Sequence, residues 1–368
     1  MTDIEAMSKG LLFWRSFTHW IGGMGVLVFI LALLPKSNER TMHVMRAEVP
    51  GPVIGKLVPR LKKSAMILYS LYMFLTILEI LLLLIGKMPL FDALVNTFGT
   101  AGTGGFAIKN TSIAYYNNAY YDAVITIFML LFGVNFNLYY FMLIRDYKQV
   151  VHDEEMHVYF GIVTVSIICI MVNIYPIYEN IAQCLRYSSF QVASVITTTG
   201  YSTADFNSWP TLSKMILLLL MVIGASAGST GGGVKVSRML IIWKKIKLDI
   251  QRLIHPQKVN AITLNHRIVD EKTVNQIMGF FCCYMMIAAL CLLFVSLDNF
   301  DMETTISSVF ACLSNIGPGL GLCGPLGNFS MFSDLSKLIL SCAMLIGRLE
   351  IYPIIIFIAP LFHMKLKR

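Results

Sequence analysis

Three short glycine segments occupy the same place in three successive stretches of this chain: Thr103-Gly-Gly-Phe-Ala107, Thr198-Thr-Gly-Tyr-Ser202 and Asn315-Ile-Gly-Pro-Gly319. Their central glycines, Gly105, Gly200 and Gly317, stand 95 and 117 residues apart. Repetition on that scale means one structural unit used several times. Each unit reads as apolar span, short half-helix, glycine turn, apolar span. Irregular backbone at membrane depth survives only where it is buried in protein or lines a wet cavity. A turn whose carbonyls point into a pore meets that condition, and carbonyls can replace a cation's hydration water.

Composition places the chain in a membrane. Hydrophobic residues make up 56% of it and charged residues 14%, against about 25% charged in soluble domains. Seven apolar stretches are predicted to span ~30 Å of hydrocarbon: residues 11–34, 65–86, 120–144, 156–175, 211–243, 275–297 and 335–362. The longest polar connection, near 244–274, is too short to bury a core of its own.

The net charge of +8 is a matter of topology. Segments 35–64, 145–155, 235–274 and 363–368 carry 21 of the 29 Lys and Arg residues, while 86–119, 176–214 and 298–337 carry 5. By the positive-inside rule the basic loops are cytoplasmic and the glycine turns face outside. No basic patch stands on a folded soluble module, so nucleic acid is not an expected partner, whereas anionic lipid headgroups are. The eight cysteines form no C-x-x-C pair, and Cys184, Cys312 and Cys323 near the outer loops follow no disulfide framework. The first residues lack the pattern of a signal peptide.

Unit two, 65–155, is the clearest. Lys87-Met-Pro89 ends its first span, Leu90 to Thr100 is a half-helix too short to cross, and Gly99-Thr-Ala-Gly-Thr-Gly-Gly105 cannot continue a helix cheaply. Unit three, 156–274, repeats this with Pro176 closing the first span and a half-helix near 187–197. Unit four, 275–368, does so with a half-helix near 302–313. Residues 1–64 supply only the end of a first unit: an outer segment, a last span and a cytoplasmic loop. The predicted fold is therefore an all-α integral membrane protein. Its repeated span–pore-helix–filter–span units surround a pseudo-fourfold pore axis, and the first unit is incomplete.

Phe13-Trp-Arg-Ser-Phe-Thr-His-Trp-Ile-Gly-Gly-Met-Gly25, the three glycine segments, Gly224-Ala-Ser-Ala-Gly-Ser-Thr-Gly-Gly-Gly-Val-Lys235 and Ile346-Gly-Arg-Leu-Glu-Ile-Tyr-Pro353 together resemble the membrane subunit of the Trk/Ktr/HKT potassium transporters, the Trk branch most closely. The resemblance covers the whole chain. It implies potassium uptake, K+ as the transported ion with no bound cofactor, and a homodimer. It also implies a cytosolic nucleotide-binding (NAD/ATP-type) regulatory subunit and a place in the cytoplasmic (inner) membrane. The alternative is a truncated or non-conducting remnant, or a regulatory membrane protein, of the same family. Catalysis is not expected. Gly224-Ala-Ser-Ala-Gly228 matches the nucleophile-elbow pattern, but it interrupts a membrane helix and lacks that motif's strand–turn–helix context.

The expected ion ligands are the carbonyls of Thr103, Gly104, Gly105, Thr198, Thr199, Gly200, Asn315, Ile316 and Gly317, with the side chains of Thr103 and Thr198 as further candidates. Two features predict a gate. Gly224, Gly228, Gly231, Gly232 and Gly233 fall within ten residues of one span, and at roughly 1 kcal/mol each they disfavour an unbroken helix by up to about 5 kcal/mol. Lys235 closes this stretch, and close helix packing is the competing reading of its glycines. Arg348, deep in the last span, is costly there and by default functional. It is expected beneath the filter, paired with a carboxylate or carbonyls, Glu350 being one candidate. Glu79, the other buried charge, is expected to pair between helices.

Overall fold

The computed structural model describes residues 3–23, 25, 61–255, 261–265 and 267–349, with backbone alone for 61–64. The later part of the first predicted span, the loop after it, and the last span beyond Leu349, with Glu350, lie outside the described residues.

Thirteen helices run through the described residues. Helix α1 is Lys9–Gly23. Unit two contains α2 (Leu61–Ile85), α3 (Leu90–Ala101), α4 (Ala119–Phe132), α5 (Phe136–Leu143) and the short α6 (Tyr147–Val151). Unit three contains α7 (Glu154–Tyr178), α8 (Ile181–Ile196), α9 (Thr211–Ile223) and α10 (Val236–Ile254). A hairpin of β1 (Thr263–Leu264) and β2 (Arg267–Ile268) precedes α11 (Glu271–Val295), α12 (Met302–Leu313) and α13 (Asp334–Leu349). The protein is a helical, multi-pass membrane protein. Helices α2, α7 and α11 are each long and apolar enough to cross a bilayer, and α4 with α5 forms a fourth, bent span. Their outer faces carry exposed Phe74, Leu81, Val172 and Leu293, as lipid contact requires.

The three half-helices α3, α8 and α12 pack against these spans and bury their polar residues. Asn96, Thr97, Thr100, Ser188, Gln191, Ser194, Ser307 and Ser308 are all buried. Each half-helix starts at a stop signal. Pro89 precedes α3, the Asn180 side chain accepts from Ala182 N, and Asp301 accepts from Thr304 N at 3.0 Å and from the Thr304 hydroxyl at 2.6 Å. Those bonds from Thr304 hold the Asp301 carboxyl below the usual carboxylate range. Asp301→Ala is expected to destabilise the protein by about 1 kcal/mol, the usual loss of an N-cap. The wild-type advantage is intact above the unfolded-state carboxyl pKa and fades as pH falls through the lower folded value. Thermal unfolding of both proteins across that acid range checks it.

Four elements differ from expectation. The predicted continuous span 120–144 is broken at Gly133–Asn135 and bent by 89°. Asn135 accepts from Asn137 N and so starts a new helix. Pro176 does not end α7, which continues to Tyr178. A proline in the last turn removes only one terminal bond, and Glu179 then closes the helix in the left-handed region. The half-helix expected near 187–197 begins six residues earlier, at the Asn180 cap. Finally, 211–243 divides into α9 and α10 around 224–235, as its glycines predict, but α10 runs on past the expected end at 243 to Ile254.

Candidate functional site: a three-segment filter above a hydrogen-bonded loop

The three glycine segments share one backbone path. Thr103, Thr198 and Asn315 have φ of 54°, 57° and 58°, and Gly105, Gly200 and Gly317 have φ of 60°, 85° and 103°. A left-handed residue at the first and third positions turns successive carbonyls toward one side, and only glycine accepts the third cheaply. The amides are anchored alike. Gly104 N donates to Gly99 O (2.8 Å), Thr199 N to Ser194 O (2.9 Å) and Ile316 N to Ala311 O (2.8 Å). Each half-helix therefore holds its own segment, with its C-terminal, partially negative end beside it, an arrangement that favours a cation there.

The segments also touch one another in order. A Cβ added at Gly105 would lie 2.1 Å from Thr199 O, and one at Gly200 would lie 2.1 Å from Ile316 O. The carbonyls of units two, three and four thus stand side by side around a common centre. Helix α13 closes on the fourth segment. Asn315 Nδ2 donates to Met344 O (3.1 Å), and a Cβ at Gly347 would strike Leu313 O.

Beneath lies loop 224–235. Gly224, Gly228, Gly233 and Lys235 all have positive φ. The backbones at Gly224 and Gly233 pack so closely that a Cβ on either would come within 3 Å of the other. The loop is bonded on every side. Ser226 N donates to Gly133 O and Phe136 N to Gly228 O, so the break in unit two's span receives the loop of unit three. Lys235 Nζ donates to Gly231 O. Arg348 reaches the loop from α13, donating to Thr230 O at 3.3 Å and to Gly22 O, also at 3.3 Å.

The hydroxyls expected to help bind the ion are turned to the loop instead. Thr103 Oγ1 lies 2.7 Å from Gly102 O and 3.0 Å from Thr230 O, and Thr198 Oγ1 accepts from Gly232 N at 2.6 Å. The reason is geometric: a positive φ at each threonine aims its side chain below the carbonyl row. Glu79 is buried, and among the described residues neither carboxyl oxygen has a partner of hydrogen-bond geometry, although Thr100 of the adjacent half-helix is a polar neighbour. The Thr100 hydroxyl of the adjacent half-helix donates to Asn96 O.

Sequence reasoning missed three residues. His19 Nε2 lies 2.9 Å from Gly102 O, and its ring stands against Gly104 and Phe106. Arg15 Nη2 donates to Ala107 O at 2.6 Å and covers the Phe106 ring. Glu155 Oε1 accepts from Ala227 N at 2.6 Å and from Ser237 N at 3.1 Å. A signal for the last was present: Asp153-Glu-Glu155 places more acid at the start of an apolar span than one cap needs.

Successive pore loops, each a half-helix followed by a turn of converging carbonyls, define a pore-loop cation-transport protein of the membrane. A model of the TrkH family, described as a cation transport protein, matches residues 1–363, and the chain belongs to that family. The Trk system potassium uptake protein TrkH of Salmonella typhimurium strain LT2 is 34% identical over 366 residues, covering 98% of this chain and 75% of that protein. The Trk system potassium uptake protein TrkG of Escherichia coli K12 is 32% identical over 368 residues, covering 98% and 74%. The crystal structure of the potassium transporter TrkH from Vibrio parahaemolyticus matches with a TM-score of 0.84 at 30% identity, over 98% of this chain and 74% of that one.

Proposed function

We propose that this chain is the membrane subunit of a potassium uptake system and passes K+ between the filter segments, with loop 224–235 as the gate. One observation carries this reading: the left-handed, glycine-centred turn recurs three times, and the first two turns each pack against a carbonyl of the next. The ligands are the carbonyls of Thr103, Gly104, Gly105, Thr198, Thr199, Gly200, Asn315, Ile316 and Gly317. Their half-helix C-termini supply the favourable field, and the carbonyls supply the coordination that water gives in bulk.

The gate comprises Gly224, Gly228, Gly231, Gly232, Gly233 and Lys235, held by Arg348. Residues 1–64, 65–155, 156–274 and 275–368 act as successive units. The charge bias sets the basic loops in the cytoplasm. The Trk resemblance adds a second copy of the chain and a cytosolic nucleotide-binding subunit as partners. Uptake of K+ by proteoliposomes holding the purified protein is the direct test, and no K+ flux above that of empty vesicles overturns the reading.

The gate has its own test. Gly231 and Gly232 face Thr197 O at 2.9 Å and Ser314 O at 2.6 Å from where a Cβ would stand. Replacing Gly231, Gly232 and Gly233 with alanine is therefore expected to shift the loop and change K+ flux several-fold, while K+ still protects the protein from heat. Unchanged flux with lowered melting temperature would instead mean that these glycines serve close packing.

A further inference from the structure

Besides Arg348 and the two filter-segment threonines, a carboxylate reaches loop 224–235 from another helix. Glu155, the second residue of α7, is 5% exposed. One of its oxygens accepts two amides that lie on either side of the loop's end. Ala227 N belongs to the loop itself, at 2.6 Å, and Ser237 N to the first turn of α10, at 3.1 Å. Lys235, the residue that opens α10, gives that helix no side-chain cap. Glu155 therefore does what a capping carboxylate does, from outside the helix, and a carboxylate is favoured at that end.

The same tripeptide is gripped from the basic side of the protein. Asp153 caps α7 through Met156 N (2.7 Å) with one oxygen and accepts from Asn265 Nδ2 (2.7 Å) with the other. Glu154 N donates to Asn265 Oδ1 (2.8 Å), and Asn265 N donates back to Glu154 Oε1 (3.1 Å). Asn265 sits at the turn of the β1–β2 hairpin with φ 51°, a conformation that asparagine tolerates better than most residues. Lys244 of α10 joins the group, donating to Glu154 and to Thr263 O. Asn265 thus makes three hydrogen bonds to two adjacent residues, and the next residue along holds the loop.

We propose that Glu155 is the positioning residue that keeps loop 224–235 in its closed path, and that the hairpin at 263–268 sets the position of Glu155 through Asn265 and the Asp153–Glu154 pair. This deepens the reading of 224–235 as a gate and rests on it. Opening the loop pulls Ala227 away from Glu155 while Ser237 stays bonded, so the carboxylate is the fixed point from which the loop lifts. A push or pull on the hairpin, whose Asn265 lies 28 residues beyond Ser237 in sequence, is delivered to the loop through three consecutive side chains.

The test uses the full chain in proteoliposomes with two readouts, K+ flux and hydrogen exchange of peptides covering 224–237. Glu155→Gln keeps the shape and one acceptor but removes the charge that strengthens both bonds. It is expected to raise K+ flux on the order of tenfold and to speed exchange at 224–237, while exchange at the filter segments and the K+/Na+ ratio stay as in the wild type. Asn265→Ala is expected to act in the same direction and less strongly, about threefold. Unchanged loop exchange in Glu155→Gln overturns the proposal. Faster exchange in Glu155→Gln with no effect of Asn265→Ala overturns the hairpin link. The alanine replacement of Gly231 to Gly233 separates the two layers. If it alters flux while Glu155→Gln leaves both readouts unchanged, the gate stands and the tether fails. If it leaves flux unchanged, the gate reading fails, and exchange alone decides whether Glu155 positions the loop.

Discussion

Gly200→Ser is expected to lower the K+/Na+ permeability ratio by about tenfold or more with the protein still folded in the membrane. Gly200 has φ 85°, where a residue with a Cβ is strained by roughly 1–2 kcal/mol. The new Cβ would stand 2.1 Å from Ile316 O and 2.9 Å from the Pro318 ring. The carbonyl cannot yield by a side-chain rotation, because Ile316 N is bonded to Ala311 O and the whole segment must move. A displacement of a few tenths of an ångström changes how well the carbonyls match K+ relative to the smaller Na+, and about 1.4 kcal/mol of difference is a factor of ten. Reversal potentials under bi-ionic K+ and Na+ measure the ratio. A wild-type ratio in membrane-inserted Gly200→Ser protein would remove Gly200 from the filter.

The second large effect is at Arg348. This residue bridges two elements, the loop at Thr230 O and α1 at Gly22 O, each at 3.3 Å. In the proposed gate it would contribute twice to closure. It ties the loop to α13, and it holds a positive charge near the ion path. Two unit charges 4 Å apart interact with about 4 kcal/mol at an effective dielectric near 20. Arg348 is an exposed side chain, so water reduces this to about 1 kcal/mol or less. Arg348→Ala is accordingly expected to raise K+ flux about tenfold, measured at equal protein in vesicles. Arg348→Lys keeps the charge but cannot offer two donors in a fixed fork, so it is expected to fall between wild type and alanine. Equal or lower flux in folded Arg348→Ala would make the residue a structural bridge alone.

The three glycine turns and their half-helices were legible in the sequence because their geometry is local. A glycine at each turn and an apolar span on each side leave a half-helix as the arrangement that fits between them, and α3 and α12 start and stop within a residue of expectation. The half-helix before Gly200 was read too short because Asn180, its cap, lies beyond the apolar stretch that marked the helix. The break in span 120–144 was not legible. Gly133 and Asn135 alone do not stop an apolar helix, and what makes the break stable is a loop almost a hundred residues later that bonds to Gly133 O and Phe136 N. His19, Arg15 and Glu155 were missed for the same reason, since each acts on a carbonyl or amide far away in sequence. The orientation of the Thr103 and Thr198 hydroxyls depended on a sign of φ that residue type does not announce. Threonine seldom adopts it, and here the half-helix above and the loop below impose it.

Those two hydroxyls meet the loop with opposite polarity. Thr103 touches the carbonyl of Thr230, whereas Thr198 receives the amide of Gly232. The roof of the loop is thus also the floor of the filter, and neither can be exchanged without the other. Valine at 198 has the shape of threonine but leaves the Gly232 amide without its acceptor. Valine at 103 strips Thr230 O of a neighbouring hydroxyl while Arg348 still donates to it. The same replacement is therefore unequal in the two units, and heavier at 198. A filter transplanted from another pore brings selectivity only if its threonines fit the loop beneath, so in chimaeras of this fold the two stretches must travel together.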